Sequence, residues 1–350
     1  MTHLWLRAEQ RDNETRTGLA PQGAKQLLEA GMQISVEESP TRVISDSAYA
    51  AVGCTMVPSH GWPDAPDDAV IFGLKELPDD DTPLRHRHIM FGHAFKGQPA
   101  GLALLRRFKA GGGTLLDLEY LVDDAGRRVA AFGYWAGYAG AAVALKCWAA
   151  QQNGDILKPV KAYDSSTHLL SELQAALVST GSHRPSALII GALGRVGTGA
   201  ADLCTAMGVG TTRWDMAETV HGGPFPEVLT HALFLNCILA RPGTPVFVAQ
   251  SALHAPRTLS VIGDIACDPD SAFSPIKVYD RATTWDMPAL RVHDAPILDV
   301  TAIDNLPSLL PLESSEDFAE QLLPSLLGLP AHTPVWRRAE AEFAKHSDAL

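Results

Sequence analysis

Two titratable residues follow directly after short apolar runs of this chain. Lys75 comes after residues 69–74, and His93 comes after residues 88–92. Such runs are typical of buried strands in a parallel sheet, whose carboxyl ends carry ligand-binding residues. A lysine whose pKa is lowered by its surroundings and an imidazole that titrates near neutrality could exchange protons with a substrate. A solvated strand end and a core histidine remain the alternatives, and the small apolar neighbours of His93 predict a partly buried imidazole.

Arg16 and Arg128 are candidates for binding an acidic substrate. A guanidinium holds a carboxylate through two parallel hydrogen bonds, although a solvated surface position remains the alternative for any single arginine. The run RHRH, residues 85–88, contains alternating histidines but no nearby carboxylate. This composition favours a solvated polar run over a metal site, so we expect no bound metal.

A glycine-rich turn lies in the second half of the chain. The stretch SALIIGALGRVGTGA, residues 186–200, has a strand-like run, then Gly191, Gly194 and Gly197, then a helical pattern. This spacing allows backbone N–H groups to approach a pyrophosphate at a helix N-terminus. An ordinary βαβ turn remains the alternative, but the context predicts a nicotinamide-nucleotide site.

An acid follows that turn at the distance expected for ribose recognition. Asp215 ends a second short strand pattern, where an acid hydrogen-bonds the ribose hydroxyls of NAD. We therefore expect NAD, although Arg213, two residues earlier, keeps NADP open. Asp264 and Asp268 end a later strand pattern, where an acid can face the nicotinamide or cap a loop. The expected cofactor-binding residues are Gly191, Gly194, Arg195, Val196, Gly197, Asp215 and Asp268.

Strand patterns alternate with helical patterns on both sides of the chain's midpoint, which predicts an α/β fold with parallel sheets. We expect two Rossmann-like domains with the active site in the cleft between them. Residues 1–130 and 310–350 would form a substrate-binding, catalytic domain. Residues 131–309 would form the NAD-binding domain. A further short strand is expected at residues 246–249.

The composition narrows the possible partners. The 350 residues include 40 acids against 28 lysines and arginines, for a net charge of −12. This balance argues against nucleic acid and anionic membranes as main partners. The N-terminus lacks a secretory pattern, and the uncharged residues 129–145 are broken by glycines, which favours a buried helix over a membrane span. Five scattered cysteines indicate a reduced, cytoplasmic chain. The oligomeric state stays open, with a monomer among the options.

The order of several motifs carries a family resemblance. The blocks LRAEQRDNETRTGLAP, GLKELP, HIMFGHAFKGQ, GRRVAAFG, IIGALGRVGTGA and IDNLPSLLP extend over nearly the whole chain. In these the chain resembles the NAD-dependent, lysine-forming saccharopine dehydrogenases, which are relatives of alanine dehydrogenase and of the NAD-binding transhydrogenase subunit. The resemblance implies oxidative cleavage of saccharopine to lysine and 2-oxoglutarate, or the reverse condensation. A dehydrogenase for alanine or another opine and a non-catalytic NAD-binding protein are the alternatives.

The resemblance also implies roles for single residues. Lys75 and His93 match the catalytic acid–base pair, and Glu76 matches an acid that tunes the charge beside the lysine. Further matches to substrate-site residues are Arg16, Glu119, Arg128 and Asp304, and Asp268 aligns with an acid of alanine dehydrogenase. The fungal enzymes have cysteines at the positions of Val196 and Cys237, and these two cysteines can pair. Only Cys237 remains in this chain, so the disulfide cannot form here. The loop HAFKGQPAG differs from the fungal pattern and leaves the contacts to the lysine end of the substrate open.

Overall fold

The computed structural model describes residues 1–11, 13–181 and 183–350. It divides the chain into two compact units, unit 1 with Met1–Ala131 and Pro311–Leu350, and unit 2 with Phe132–Leu310. Each unit contains a six-stranded sheet within the described residues. The predicted α/β class with two mostly parallel sheets is confirmed.

The first part of unit 1 is a sheet with helices in its connections. Its strands are β1 (His3–Leu6), β2 (Gln33–Glu37), β3 (Thr55–Val57), β4 (Val70–Phe72), β5 (Arg87–Met90) and β6 (Thr114–Asp117). Its helices are α1 (Pro21–Glu29), α2 (Asp46–Ala51) and α3 (Pro99–Gly111). The strand order is β3-β2-β1-β4-β5-β6, and every neighbouring pair is parallel. The order reverses between β1 and β4, and ligands of such sheets bind outside the carboxyl ends at that reversal.

Unit 2 repeats this plan with one antiparallel edge. Its strands are β7 (Ser186–Ile190), β8 (Gly210–Trp214), β9 (Leu233–Asn236), β10 (Val261–Asp264), β11 (Leu290–Asp294) and β12 (Ile297–Thr301). Its helices are α4 (Gly133–Gln152), α5 (Ser166–Val178), α6 (Arg195–Ala206) and α7 (Met216–Thr219). The order is β11-β12-β10-β9-β7-β8, and only β11 is antiparallel to its neighbour.

Glycines let α4 and α6 pack at very short range. A Cβ at Gly137 would overlap the carbonyl of Val196, and one at Gly199 would overlap the carbonyl of Tyr134. Residues 137–145 of α4 are buried throughout, so this helix is a core element of unit 2. Of the described residues, none forms a helix long and apolar enough to cross a membrane.

The chain returns to unit 1 after residue 310. Helix α8 (Pro311–Leu327) contacts α1, and helix α9 (Pro334–Ser347) contacts α3 and β6. Trp336 is completely buried on α9 and donates its indole N–H to the carbonyl of Ser325 at 2.8 Å. Both helices begin with a proline in the first turn, where its missing N–H costs no helical hydrogen bond.

Two features of the sheets differ from the sequence pattern. The strand expected at residues 246–249 is wrong, because Val248 makes only an isolated bridge to Ile276 before a 3₁₀ turn begins at Gln250. The hairpin β11–β12 is not predicted from the hydrophobic pattern of the sequence, because it buries the charged residue Asp299. That carboxylate is satisfied by Arg291 Nε at 2.5 Å and by Gln151 Nε2 at 2.6 Å.

His88 is a buried imidazole in the middle of unit 1. Its ring meets the rings of Trp62 and Phe108 edge-on, with centroid distances of 5.1 and 5.4 Å. Neither ring nitrogen has a hydrogen-bond partner among the residues described. Burial, followed by the positive charges of Arg7 and neighbouring groups, lowers the pKa of His88 well below 6.5. The ring is therefore neutral in the folded protein, and the solvated polar run expected at residues 85–88 is wrong for this residue.

Replacing His88 with Leu should flatten the acid dependence of stability. The unfolded wild-type chain binds a proton at His88 below about pH 6.5, while the folded chain does not, so stability falls with decreasing pH. This one group can cost up to about 1.4 kcal/mol for each pH unit. Urea unfolding followed by tryptophan fluorescence at about pH 7.5 and about pH 5.5 measures the slope.

The matched control for this experiment is His221→Leu, because His221 is exposed. The control should keep the wild-type difference between the two pH values. An unchanged difference in His88→Leu would show that the buried ring carries no part of the acid sensitivity.

Candidate active site and nucleotide site

The carboxyl ends of β4, β5 and β6 bring three of the predicted residues onto neighbouring segments. The pairing of the strands extends beyond their ends, since Phe91 N–H donates to the carbonyl of Leu74 at 3.0 Å. Leu118 N–H donates to the carbonyl of Met90 at the same distance of 3.0 Å. Lys75, His93 and Glu119 therefore lie at one edge of the sheet in unit 1.

His93 stands out from that edge rather than inside it. Its backbone has a φ of +48°, and its side chain is 57% exposed, so the expected partly buried imidazole is wrong. The reason is local, because the left-handed residue directs the ring away from the strand. Nδ1 lies 3.4 Å from Oε2 of Glu119, an ion-pair distance. If Nδ1 carries the proton that faces Glu119, Nε2 of the neutral ring accepts protons from a substrate.

Glu119 is an anion that lies between the imidazole of His93 and the ammonium group of Lys96. Its other oxygen, Oε1, accepts a hydrogen bond from Lys96 Nζ at 3.2 Å. The contact with His93 lowers the pKa of Glu119 most, burial opposes it, and Lys96 adds to the lowering, which leaves the pKa at about 2. The carboxylate is therefore charged at neutral pH.

Asp117 is a buried acid that the sequence patterns did not single out. Its Oδ1 accepts the N–H of Glu119 at 2.9 Å, and its Oδ2 accepts the N–H of Gly92 at 3.2 Å. Burial raises the pKa of Asp117 to about 6. An acid at the end of the apolar run TLLD was the available signal, because a buried strand end needs acceptors for the N–H groups of the following loop.

The acid beside Lys75 forms an ion pair with an arginine. Lys75 is half-buried, and the neighbouring Glu76 is exposed and bound to the guanidinium of Arg11. Burial is the largest single influence on Glu76 and acts to raise its pKa. The hydrogen bond from Arg11 and the nearby positive charges outweigh it, so the pKa is lowered.

The two candidate arginines have different environments. Arg16 is 3% exposed, and its Nε and Nη2 donate to the two oxygens of Glu14 at 2.8 and 2.6 Å. Glu14 thus fixes the plane of the Arg16 guanidinium. Arg128 is exposed and follows a small turn, where it forms an isolated bridge with Val122.

The glycine turn of unit 2 has the geometry that its spacing predicts. Gly191 has a φ of +87°, and Gly194 is the N-cap of α6. A Cβ at Gly197 would overlap the backbone of Gly191, so this glycine lets the helix pack against the turn. A Cβ at Gly194 would meet nothing closer than the carbonyl of Gly191 at 3.5 Å, which leaves space at the helix N-terminus.

Asp215 links that turn to the end of β8. One carboxylate oxygen accepts the N–H of Leu193 at 3.0 Å, and the other accepts the N–H of Met216 at 2.9 Å. Glu218 completes a capping box by accepting the N–H of Asp215 at 2.7 Å. Beside these residues lies a cavity of about 790 Å³, lined by the turn, by Asp215 and by an apolar wall. Its wall includes exposed side chains of Leu193, Met216, Val220 and Leu239.

Comparisons with known proteins found a matching family model and several similar sequences. Residues 5–139 match the family model for the N-terminal domain of alanine dehydrogenase/PNT. A saccharopine dehydrogenase (NAD(+), L-lysine-forming) from Yarrowia lipolytica is 47% identical, over 98% of this chain and 97% of that protein. The enzyme of the same name from Schizosaccharomyces pombe is 44% identical, over 97% of this chain and 96% of that protein.

The chain belongs to the lysine-forming saccharopine dehydrogenase family. The resemblance drawn from the motifs is thereby confirmed. Solved structures with lower sequence identity also share the fold of this family member. An L-alanine dehydrogenase covers 99% of the chain with a TM-score of 0.68 and 18% identity. A transhydrogenase from Sinorhizobium meliloti covers 96% with a TM-score of 0.65 and 14% identity.

The remaining predicted residues of this family member lie in unit 2. Arg195 is exposed as the first residue of α6, and Val196 is half-buried. Asp268 is half-buried in the turn after β10, and Asp304 is exposed. Asp304 thus belongs to a different unit from the other substrate candidates.

Asp264 ends β10, and its carboxylate accepts backbone hydrogen bonds from Ala266 and Cys267, which favours the loop cap among the two alternatives for it. It is 2% exposed and accepts Asn236 Nδ2 at 2.9 Å and the hydroxyl of Tyr279 at 2.5 Å. Burial raises its pKa, and the hydrogen bonds oppose that effect. Among the described residues there is no group of three or more potential metal ligands.

Proposed function

We propose that this protein is an NAD-dependent saccharopine dehydrogenase that forms L-lysine and 2-oxoglutarate from saccharopine and can run the reverse condensation. The observation that carries the proposal is the placement of Lys75, His93 and Glu119 at one sheet edge, in a chain 47% identical to an enzyme of that name. Its partners are small molecules, namely saccharopine, lysine and 2-oxoglutarate. The cysteines are free thiols, which suits the cytoplasm.

The residues of unit 2 fit NAD. The open space at Gly194 and the N-terminus of α6 would receive the pyrophosphate, with Arg195 and Val196 in the same first turn. Asp215 would accept hydrogen bonds from the ribose, and the apolar wall of the adjoining cavity suits an adenine ring. Asp268, after β10, would contribute from another strand end of the same sheet. When bound, NAD accepts a hydride from the carbon of the substrate that carries the secondary amine.

Lys75 would act first, by taking a proton from the secondary amine of saccharopine. The amine nitrogen needs its lone pair for hydride to leave the neighbouring glutamyl carbon, and the product of that step is an iminium. The half-buried position of Lys75 after an apolar strand suits a base of this kind. Glu76 would tune the charge beside Lys75, as a carboxylate that is already paired with Arg11.

His93 would then act on water. Deprotonation of the attacking water by the imidazole gives a carbinolamine, and His93 then returns that proton to the amine nitrogen. As the C–N bond breaks, the amine of lysine leaves and the hydroxyl proton passes back to the imidazole, which gives the ketone of 2-oxoglutarate. Glu119 orients the ring and stabilises its charged form, because its carboxylate lies 3.4 Å from Nδ1.

The carboxylates of the substrate would be bound by arginine. Saccharopine carries three carboxylates, and Arg16 and Arg128 are the candidates to hold them. Arg16 is oriented by Glu14, so little side-chain entropy would be lost when it binds. Asp304 of unit 2 would interact with the ammonium groups of the substrate.

The direct test is the formation of NADH with a panel of amines. Saccharopine should be oxidised with a kcat/KM at least about 10²-fold above those for alanine and other opines, because only saccharopine presents its full set of carboxylates to the arginines. Comparable rates with alanine would place the protein among alanine dehydrogenases. Protection against heat by NADH without any turnover would make it a binding protein.

Lys75→Met and His93→Gln should each lower kcat by at least about 10²-fold, because each removes a general acid–base group. The affinity for NADH should change little, since the nucleotide residues lie in unit 2. Stopped or continuous absorbance assays give kcat, and NADH fluorescence titration gives the affinity. Near wild-type turnover in either variant would remove that residue from the mechanism.

Asp215→Ala should reduce the preference for NAD over NADP, because it removes the charge that repels a 2′-phosphate. The same change also removes the cap of α7, so Asp215→Ser separates the two effects by keeping a capping oxygen. Both variants should lower the ratio of kcat/KM for NAD to that for NADP. Asp155→Ala, at an exposed acid of unit 2, is the control and should keep the wild-type ratio. Equal use of NAD and NADP by the wild type would contradict the role of Asp215.

A further inference from the structure

The segment that carries Lys75 lies outside regular secondary structure. Strand β4 ends at Phe72, and residues 73–78 form neither helix nor strand. The backbone N–H and carbonyl groups of such a segment need other partners when they are removed from water. Without them, the position of the Lys75 side chain would be poorly defined.

Glu9 supplies acceptors for the N–H groups of this segment. Its Oε1 accepts the N–H of Leu74 at 2.6 Å, and its Oε2 accepts the N–H of Lys75 at 3.0 Å. The Glu9 side chain is only 8% exposed. One carboxylate thus binds two consecutive N–H groups, and this arrangement allows only one orientation of the peptide between Leu74 and Lys75.

Arg7 supplies donors for the carbonyl groups of the same segment. Its Nη2 donates to the carbonyl of Lys75, with a longer contact to that of Glu76 at 3.4 Å. Its Nη1 lies 3.4 Å from Oε2 of Glu9. Arg7 is 2% exposed, and a Cβ at Gly73 would overlap its guanidinium. The glycine therefore makes room for the arginine beneath the segment.

We infer that Arg7 and Glu9 are positioning residues that hold the backbone of Lys75 for proton transfer, an inference that rests on the proposed function. Glu9 accepts the N–H of Lys75, and Arg7 donates to its carbonyl. They come from the end of β1, the strand beside β4, where the strand order of the sheet reverses. Because a carboxylate and a guanidinium in contact have no net charge, the pair acts on Lys75 through geometry.

A positioning role predicts loss of turnover rather than of binding. Glu9→Gln keeps the shape of the side chain but turns an NH₂ group towards one of the two N–H donors. A displacement of about 1 Å in a catalytic group can cost about 10²-fold in rate. We expect kcat for saccharopine to fall by about 10- to 100-fold, while the affinity for NADH stays within about 2-fold.

The decisive measurement is a double-mutant cycle with Lys75→Met. If Glu9 acts through Lys75, adding Glu9→Gln to Lys75→Met should lower kcat no further. A full additional loss in the double variant would show that Glu9 supports the enzyme in another way, and the inference would be wrong. The control Glu320→Gln, at an exposed acid of α8, should leave kcat unchanged in both backgrounds.

A second readout does not depend on turnover. Reductive methylation of Lys75, followed by peptide mass spectrometry over a range of pH, reports how its amine is presented to solvent. Glu9→Gln should change how the extent of Lys75 methylation varies with pH. The exposed Lys109 serves as an internal reference, and its methylation should not change. An unchanged Lys75 profile would overturn the inference.

The two readouts also distinguish the inference from the proposed function. A wild-type protein that fails to oxidise saccharopine contradicts the proposed function, and the labelling experiment still decides whether Glu9 positions Lys75. Should Glu9→Gln fail to fold, Gly73→Ala tests the same arrangement from the other side, because its methyl group would displace the Arg7 guanidinium. It should reproduce the loss of kcat and the change in Lys75 labelling.

Discussion

Buried carboxylates that accept backbone N–H groups hold the carboxyl edge of the sheet in unit 1 together. Glu37, at the end of β2, is fully buried and accepts three such bonds, from the N–H groups of Ala8 and Trp62 at 2.7 Å and of His60 at 2.9 Å. Glu9 and Asp117 do the same for the loops that carry Lys75, His93 and Glu119. Loops at a sheet edge have many N–H groups and few partners, and a carboxylate can satisfy several at once.

Two acids at this edge, Asp117 and Glu119, differ in pKa although they lie close together. Asp117 and Glu119 are two residues apart, yet burial raises the pKa of Asp117 to about 6 and the contact with His93 lowers that of Glu119 to about 2. One carboxyl group faces N–H dipoles in the interior, and the other faces the His93 ring and the ammonium group of Lys96. The environment of each therefore separates a framework acid from one that would serve the proposed chemistry.

Small residues position the glycine turn of unit 2. Gly137 and Gly199 allow α4 and α6 to approach until their backbones touch, and Gly197 does the same between α6 and the turn after β7. The result is a helix N-terminus whose backbone is open to an anion. Asp215 then ties the turn to β8 while its carboxylate borders the cavity.

The sequence by itself determined the class of fold, most strands and helices, the glycine turn and the family, because each depends on local periodicity or on motifs of a few residues. Only the tertiary structure decided how those parts meet. Glu9 reaches Leu74 across 65 positions, and the exposure of His93 follows from one left-handed residue. The buried Asp299, whose carboxylate accepts Nε2 of Gln151 from α4, interrupts the hydrophobic pattern of the β11–β12 hairpin. The two buried carboxylates depend on partners that are distant in the chain, and the energy of a buried polar group is set by those partners and not by its neighbours in sequence.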